Sequence, residues 1–149
     1  MSEAIRLLFV QEDSSVRLMS ARRIRMRVPP GVKNPRAQVP DDAVGGWVEV
    51  NDANGETIYR RFVSDLVRSD VHVTHTARGE PMRRVATMPR RHVFSVLVPY
   101  HDDAREVLVV ERRRSPATRR AVEGSAGLET IRHAAIDLSR IDIRKEAEK

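Results

Sequence analysis

The stretch His92–Glu111, HVFSVLVPYHDDAREVLVVE, decides the fold that the sequence predicts. Val93–Val98 is apolar except at Ser95, Val107–Val110 is apolar throughout, and a polar turn at Tyr100–Arg105 separates the two runs. Short, nearly continuous apolar runs are typical of strands that are covered on both faces. We therefore expect the two runs to pair with each other as interior strands of a sandwich of two sheets.

The segment Val16–Val28 alternates between apolar residues and arginines, and this period of two predicts a strand with one buried and one solvated side. The expected apolar side carries Val16, Leu18, Ile24, Met26 and Val28. The expected solvated side carries Arg17, Arg23, Arg25 and Arg27. Ser20 and Arg22 interrupt the apolar side, which predicts a bulge or bend near Ala21.

A β-hairpin is predicted at Trp47–Asn51 and Glu56–Arg61, because Asp52-Ala53-Asn54-Gly55 lies between two strand-like segments. Asn-Gly accepts the positive φ that tight hairpin turns require. Before it, residues 29–46 form a long loop rich in proline and glycine, and long loops are often functional or mobile.

The strand count predicts an all-β, immunoglobulin-like sandwich of two antiparallel sheets. About seven strands are expected, near residues 5–10, 16–28, 47–51, 56–61, 71–76, 93–98 and 107–111. The segment 62–70 is ambiguous, and the spacing of its apolar residues fits one or two turns of helix. A short strand is expected at 84–88. We expect the sandwich domain to span 1–114 and a linker and tail to span 115–149. The spacing within 128–143 fits either a helix or a final strand.

The composition limits the classes of function. The chain has 149 residues and no cysteine, so disulfides, thiolate zinc sites and cysteine nucleophiles are excluded. The first residues do not resemble a secretory signal, and we expect a cytoplasmic protein without a membrane span. The net charge of +6 fits an anionic partner, but a GC-rich genome also produces a composition rich in arginine and poor in lysine.

Two blocks of the sequence resemble the N-terminal β-sandwich domain of IgA-peptidase-type bacterial metallopeptidases. Residues 46–62, GWVEVNDANGETIYRRF, share its strand, D-x-x-G-type turn and I-Y pair, and residues 94–113, FSVLVPYHDDAREVLVVERR, share its strands around a P-Y turn. In that family the zinc chemistry lies in a separate domain with an HExxH helix, which is missing from this sequence. The resemblance therefore implies an accessory sandwich and no active-site residue.

No arrangement of residues in the sequence predicts an enzyme. His72 and His75 are three apart, so on a strand they point to opposite faces. The run His101-Asp102-Asp103 offers metal ligands, but aspartate is also favoured in turns. The sequence contains neither a G-x-S-x-G motif nor a phosphate loop, and we expect no cofactor and no metal.

We therefore expect a non-enzymatic interaction module that docks a partner protein. The candidate partner-binding residues are Arg17, Arg23, Arg25 and Arg27, together with the loop 29–46. The alternative is a nucleic-acid-binding protein, since arginines on one strand face repeat at about the spacing of phosphates and bind them bidentately. An enzyme is the most distant of the three hypotheses.

Overall fold

The computed structural model describes residues 2–63, 66–67, 91–114 and 127–145. These residues form eight strands and one 3-10 turn, Leu138–Arg140. The strands are β1 (Glu3–Glu12), β2 (Ser15–Arg25), β3 (Gly45–Asn51), β4 (Thr57–Val63), β5 (His92–Pro99), β6 (Glu106–Arg114), β7 (Leu128–Asp137) and β8 (Arg144–Lys145). The predicted strands at 71–76 and 84–88, and part of the predicted helical segment 62–70, lie outside the described residues.

The strands form two four-stranded sheets, which confirms the all-β sandwich. The first sheet has the order β5-β1-β2-β8 and the second the order β4-β3-β6-β7. All pairs are antiparallel except β2 with the two-residue β8. The second sheet has the order of strands C′, C, F and G in an immunoglobulin variable domain. Between the sheets lies one apolar cluster, to which both contribute, for example Leu7 and Phe9 from the first and Val48 and Val107 from the second.

The expected pairing of the two runs in His92–Glu111 is wrong. β5 pairs with β1 at the edge of the first sheet, and β6 lies between β3 and β7 in the second. The residues between them cross from one sheet to the other, since Tyr100 N–H donates to Glu3 O at 3.0 Å and Arg105 N–H donates to Asn51 O at 2.8 Å. Of these two strands, only β6 is covered on both faces. The pairing was predicted wrongly because an apolar run does not reveal which strand will pair with it.

The strand predicted at 16–28 is present as β2, but it ends at Arg25 and a bulge redistributes its side chains. Leu8 pairs with Ser20 and Phe9 pairs with Leu18, so Met19 is the extra residue. The bulge lies two residues before the predicted position at Ala21. Because an extra residue reverses the alternation, the side chains after Met19 point to the faces opposite those that the sequence pattern predicts. The single arginine face expected from the sequence is therefore wrong.

The predicted hairpin is confirmed as β3 and β4. Gly55 has a φ of 79°, and the Asp52 carboxylate accepts from the N–H groups of Asn54 and Glu56 at 2.8 and 2.9 Å. Aspartate at this position thus orders the turn, and glycine supplies the left-handed residue.

The question left open for 128–143 is settled in favour of a strand. β7 pairs with β6 from Leu128 to Asp137. A 3-10 turn follows, begun by Asp137, whose side chain accepts from the N–H of Ser139 at 2.9 Å. The sandwich therefore continues past the domain boundary expected at residue 114, and the expected tail supplies the edge strand of the second sheet.

Candidate binding cleft

The loop between β2 and β3 lies across the second sheet, and we call its residues 29–44 the strap. The strap is fixed first along β4. Val32 N–H donates to Arg60 O at 2.8 Å, and the Tyr59 hydroxyl donates to Pro29 O at 2.9 Å. Burial raises the pKa of Tyr59, an effect that Arg61 partly opposes. The hydroxyl therefore keeps the proton that it donates.

The strap is fixed again where it reaches the outer face of the second sheet, which is the face turned away from the first. The guanidinium of Arg60 donates to Ala37 O, and Arg112 Nη1 donates to Pro40 O at 2.7 Å. Between these bonds Val39 packs on a small buried cluster of Trp47, Leu108 and Val110. The loop that the sequence singled out is thus held against the sheet.

Between the strap and the sheet lies a cleft of about 690 Å³, within the range of ligand-binding sites. The outer face of the second sheet contributes residues of β4, β3, β6 and β7 to it, and the strap contributes Gln38, Val39 and Asp41. The cleft is lined by Gln38, Val39, Asp41, Trp47, Glu49, Arg60, Leu108, Val110, Arg112, Thr130 and Arg132.

A buried ion pair lies in the floor of the cleft. Arg60 Nε is 2.7 Å from Glu49 Oε1, and the side chains are only 9% and 13% exposed, respectively. The indole N–H of Trp47 donates to the same carboxylate oxygen at 2.8 Å. Because Glu49 neutralises Arg60 and fixes the ring of Trp47, these three residues form a rigid base for the site.

The remaining charges of the cleft are unbalanced in favour of cations. Arg112 bonds Thr130 Oγ1 through Nε at 3.1 Å and Pro40 O through Nη1, and both acceptors are neutral. Arg132 is exposed and forms no ion pair with any described residue. Asp41 is the only carboxylate among the lining residues besides Glu49. Two arginines therefore face one aspartate, and the cleft favours an anionic ligand.

The structure does not bring the predicted arginines together. Arg17 pairs with Val10 on the outer face of the first sheet, whereas Arg23 pairs with Ile5, whose side chain is in the core. Arg25 lies on the same side of β2 as Arg23, and Arg27 lies beyond the end of the strand.

Two of the predicted arginines, Arg17 and Arg23, are also engaged within the chain. Arg17 lies 3.6 Å from Glu12. Arg23 pairs with Glu3 and lies over the ring of Tyr100, with 3.7 Å from its guanidinium carbon to the ring centroid. The hydrogen bond to Glu3 raises the pKa of Arg23 above its ordinary value.

The candidate metal ligands of the sequence do not assemble into a site. His101 Nδ1 lies 3.5 Å from Asp103, and the N–H of Asp103 donates to the same ring nitrogen at 3.2 Å, as in a local turn. No group of three or more possible ligands occurs within the described part of the chain. His72 and His75 lie outside it.

Sequence reasoning missed the arginines that line the cleft, Arg60, Arg112 and Arg132. They are distant in sequence, and only the register of four strands places them on one face. One local pattern pointed to this face. Trp47 and Glu49 alternate with Val48 and Val50, and Leu108 and Val110 alternate with two buried valines. Apolar residues on both faces of β3 and β6 require a cover on the outer face, which the strap supplies.

In the described ranges, no helix has the length and apolar character required to cross a membrane. The sequence matches no protein-family model and no curated protein.

Proposed function

We propose that this chain is a non-enzymatic docking module, and that its cleft holds an acidic segment of a partner protein. The proposal rests on one observation: among the residues that line the cleft, Arg112 and Arg132 outnumber Asp41, the one carboxylate besides Glu49, which pairs with Arg60. Arginine is enriched among the residues that contribute most to binding at protein interfaces. A guanidinium can bind a carboxylate with good bidentate geometry.

The proposal keeps the interaction module expected from the sequence but moves its docking surface. The loop 29–46 remains part of the surface because the strap forms one wall of the cleft. The proposed docking surface contains Arg112 and Arg132, which share one face of the second sheet, instead of the arginines of β2. An accessory role in the bacterial cytoplasm agrees with this proposal, as does the resemblance to an accessory sandwich.

The test compares the charge reversal Arg132→Glu with the matched reversal Arg17→Glu on the other sheet. Arg132 has no described partner to lose, so its replacement should leave folding intact. We expect the Arg132→Glu chain to lose its partner protein in affinity capture from the native host, and the Arg17→Glu chain to retain it. Equal retention by both variants would refute docking at the cleft.

Nucleic-acid binding remains the alternative, and the net charge of +6 supports it. It predicts binding of DNA or RNA whose affinity falls steeply with salt concentration. It also predicts loss of that binding in Arg17→Glu or in a triple replacement of Arg23, Arg25 and Arg27 by alanine. Because Arg17 and Arg23 lie on different faces and each pairs with a glutamate, we expect no such binding at low ionic strength.

A further inference from the structure

We infer that Arg6 and Arg22 form a binding site for a phosphate monoester on the outer face of the first sheet. This site goes beyond the proposed docking function, since the cleft is on the second sheet. Arg6 of β1 is directly opposite Arg22 of β2. Both side chains are exposed, and neither forms an ion pair or hydrogen bond with any described residue.

The register places Arg6 and Arg22 on the same face of the first sheet. Ile5 and Leu7 are in the core, so Arg6 between them points to the outer face. Ala21 is opposite Leu7 and is also in the core, so its neighbour Arg22 points outward as well. Side chains that are directly opposite have Cβ atoms about 4.5–5.5 Å apart. The two guanidinium groups can therefore reach a single ligand.

The residues paired around the two arginines on this face carry no negative charge. Leu97 of β5 is opposite Arg6, and Arg144 of β8 is in register with Arg22. The residues one step away along β1 and β2 are apolar or small, namely Ala4, Leu8, Ser20 and Ile24. The described strands therefore place no carboxylate beside either arginine.

The stability of the fold does not explain this pair. Like charges directly opposite each other on a sheet are destabilising. Charges on an edge strand can prevent aggregation, but β1 lies between β5 and β2, and β2 pairs with β8 at Arg22 itself. Neither arginine is therefore at an edge. A cationic pair without a counter-ion on interior strands points to an anion that the pair binds.

The ligand has to match two positive charges with several acceptor oxygens. Each guanidinium binds an oxyanion best through two parallel hydrogen bonds. A phosphate monoester carries a charge of about −1.5 to −2 at pH 7 and three acceptor oxygens. A carboxylate or a phosphodiester carries a single charge, so one arginine would remain without compensation. The pair therefore favours a phosphate monoester over an acidic side chain or the backbone of a nucleic acid.

Two small esters test this preference. Methyl phosphate is a monoester, and dimethyl phosphate is a diester of similar size. Each is titrated into the full chain at about pH 7.5, above the second pKa of the monoester, which is about 6, while the backbone amide resonances of Arg6 and Arg22 are followed by NMR. We expect methyl phosphate to bind at least about tenfold more tightly, since the diester loses a charge-assisted contact. Equal binding of the two esters, or no shift at either residue, would overturn the inference.

The variant Arg22→Gln tests the site, and Arg17→Gln is the matched control. Arg17 lies on the same face but pairs with Glu12. We expect Arg22→Gln to weaken the binding of methyl phosphate at least about tenfold, Arg6→Gln to do the same, and Arg17→Gln to leave it unchanged. Unchanged binding in Arg22→Gln would refute the site.

Thermal denaturation separates a loss of binding from a loss of folding. Because Arg22→Gln and Arg6→Gln each relieve a contact between like charges, both variants should melt at the temperature of the unaltered chain or above it. A lower melting temperature in both would contradict the assignment of the pair as uncompensated.

A third compound distinguishes the two sources of the monoester. Acetyl-phosphoserine-N-methylamide carries the same phosphate on a peptide backbone. If it binds more tightly than methyl phosphate, the site takes a phosphorylated segment of a protein. If it binds equally or more weakly, the site takes small phosphate esters. Binding of neither compound would refute both.

Discussion

At the scale of the residue, the cleft depends on one nearly buried carboxylate. Glu49 accepts from the guanidinium of Arg60 and from the indole of Trp47. A buried ion pair contributes little net stability, because both charges lose their hydration, but removing one partner leaves the other charge uncompensated. The pair therefore maintains the shape of the floor more than it stabilises the fold.

We predict that Glu49→Ala lowers the free energy of unfolding by about 3 kcal/mol, because Arg60 then remains buried without a counter-ion. The matched control is Glu56→Ala. Glu56 pairs with Arg36 at 3.3 Å, and both side chains are more than half exposed, at 55% and 67%, respectively. Its loss should cost no more than about 0.5 kcal/mol. Urea denaturation measures both, and a loss below about 1 kcal/mol for Glu49→Ala would contradict the prediction.

At the scale of the element, the strap is the segment that covers part of the outer face of the second sheet. Its first contact with β4 requires a glycine. A Cβ at Gly31 would lie 2.7 Å from Arg60 O and 2.9 Å from the ring of Tyr59. The backbone of the strap thus approaches β4 more closely than any other residue allows.

We predict that Gly31→Ala displaces the strap and lowers stability by about 2 kcal/mol, as overpacking does. Gly55→Ala is the control. Gly55 has a φ of +79° and open space around its Cβ, so alanine there costs about 1 kcal/mol of backbone strain and leaves the cleft intact. Only Gly31→Ala should shift the fluorescence maximum of Trp47. An unchanged spectrum in Gly31→Ala would show that the close approach is dispensable.

At the scale of the whole molecule, local patterns in the sequence predicted most of the strands. The turn at Asp52–Gly55 and the presence of strand β2 are determined by neighbouring residues, and both were found, but the bulge at Met19 reversed the predicted faces of β2 beyond it. The pairing of β5 and β6 was not found, because two apolar runs joined by a short turn also fit strands in different sheets. The cleft could not be predicted from the sequence for a related reason. Arg60, Arg112 and Arg132 meet only through the order of four strands and one bulge.

We predict that this arrangement is visible in native-state hydrogen exchange. β6 is hydrogen-bonded on both sides and covered on both faces, whereas β5 pairs only with β1 among the described strands. Amides of Val107–Glu111 should therefore exchange about tenfold or more slowly than those of Val93–Leu97 that point away from β1. NMR-detected exchange measures both sets. Equal protection of the two strands would contradict the placement of β5 at an edge.

The bond from Val32 N–H to Arg60 O has a consequence for the behaviour of the chain in concentrated solution. Among the described strands β4 ends its sheet, and an open strand edge is a template on which another copy can add a strand and begin to aggregate. The strap occupies one of the acceptors on that edge, Arg60 O. Shortening the strap would therefore expose the edge of β4, and the chain would lose colloidal stability even if it still folded.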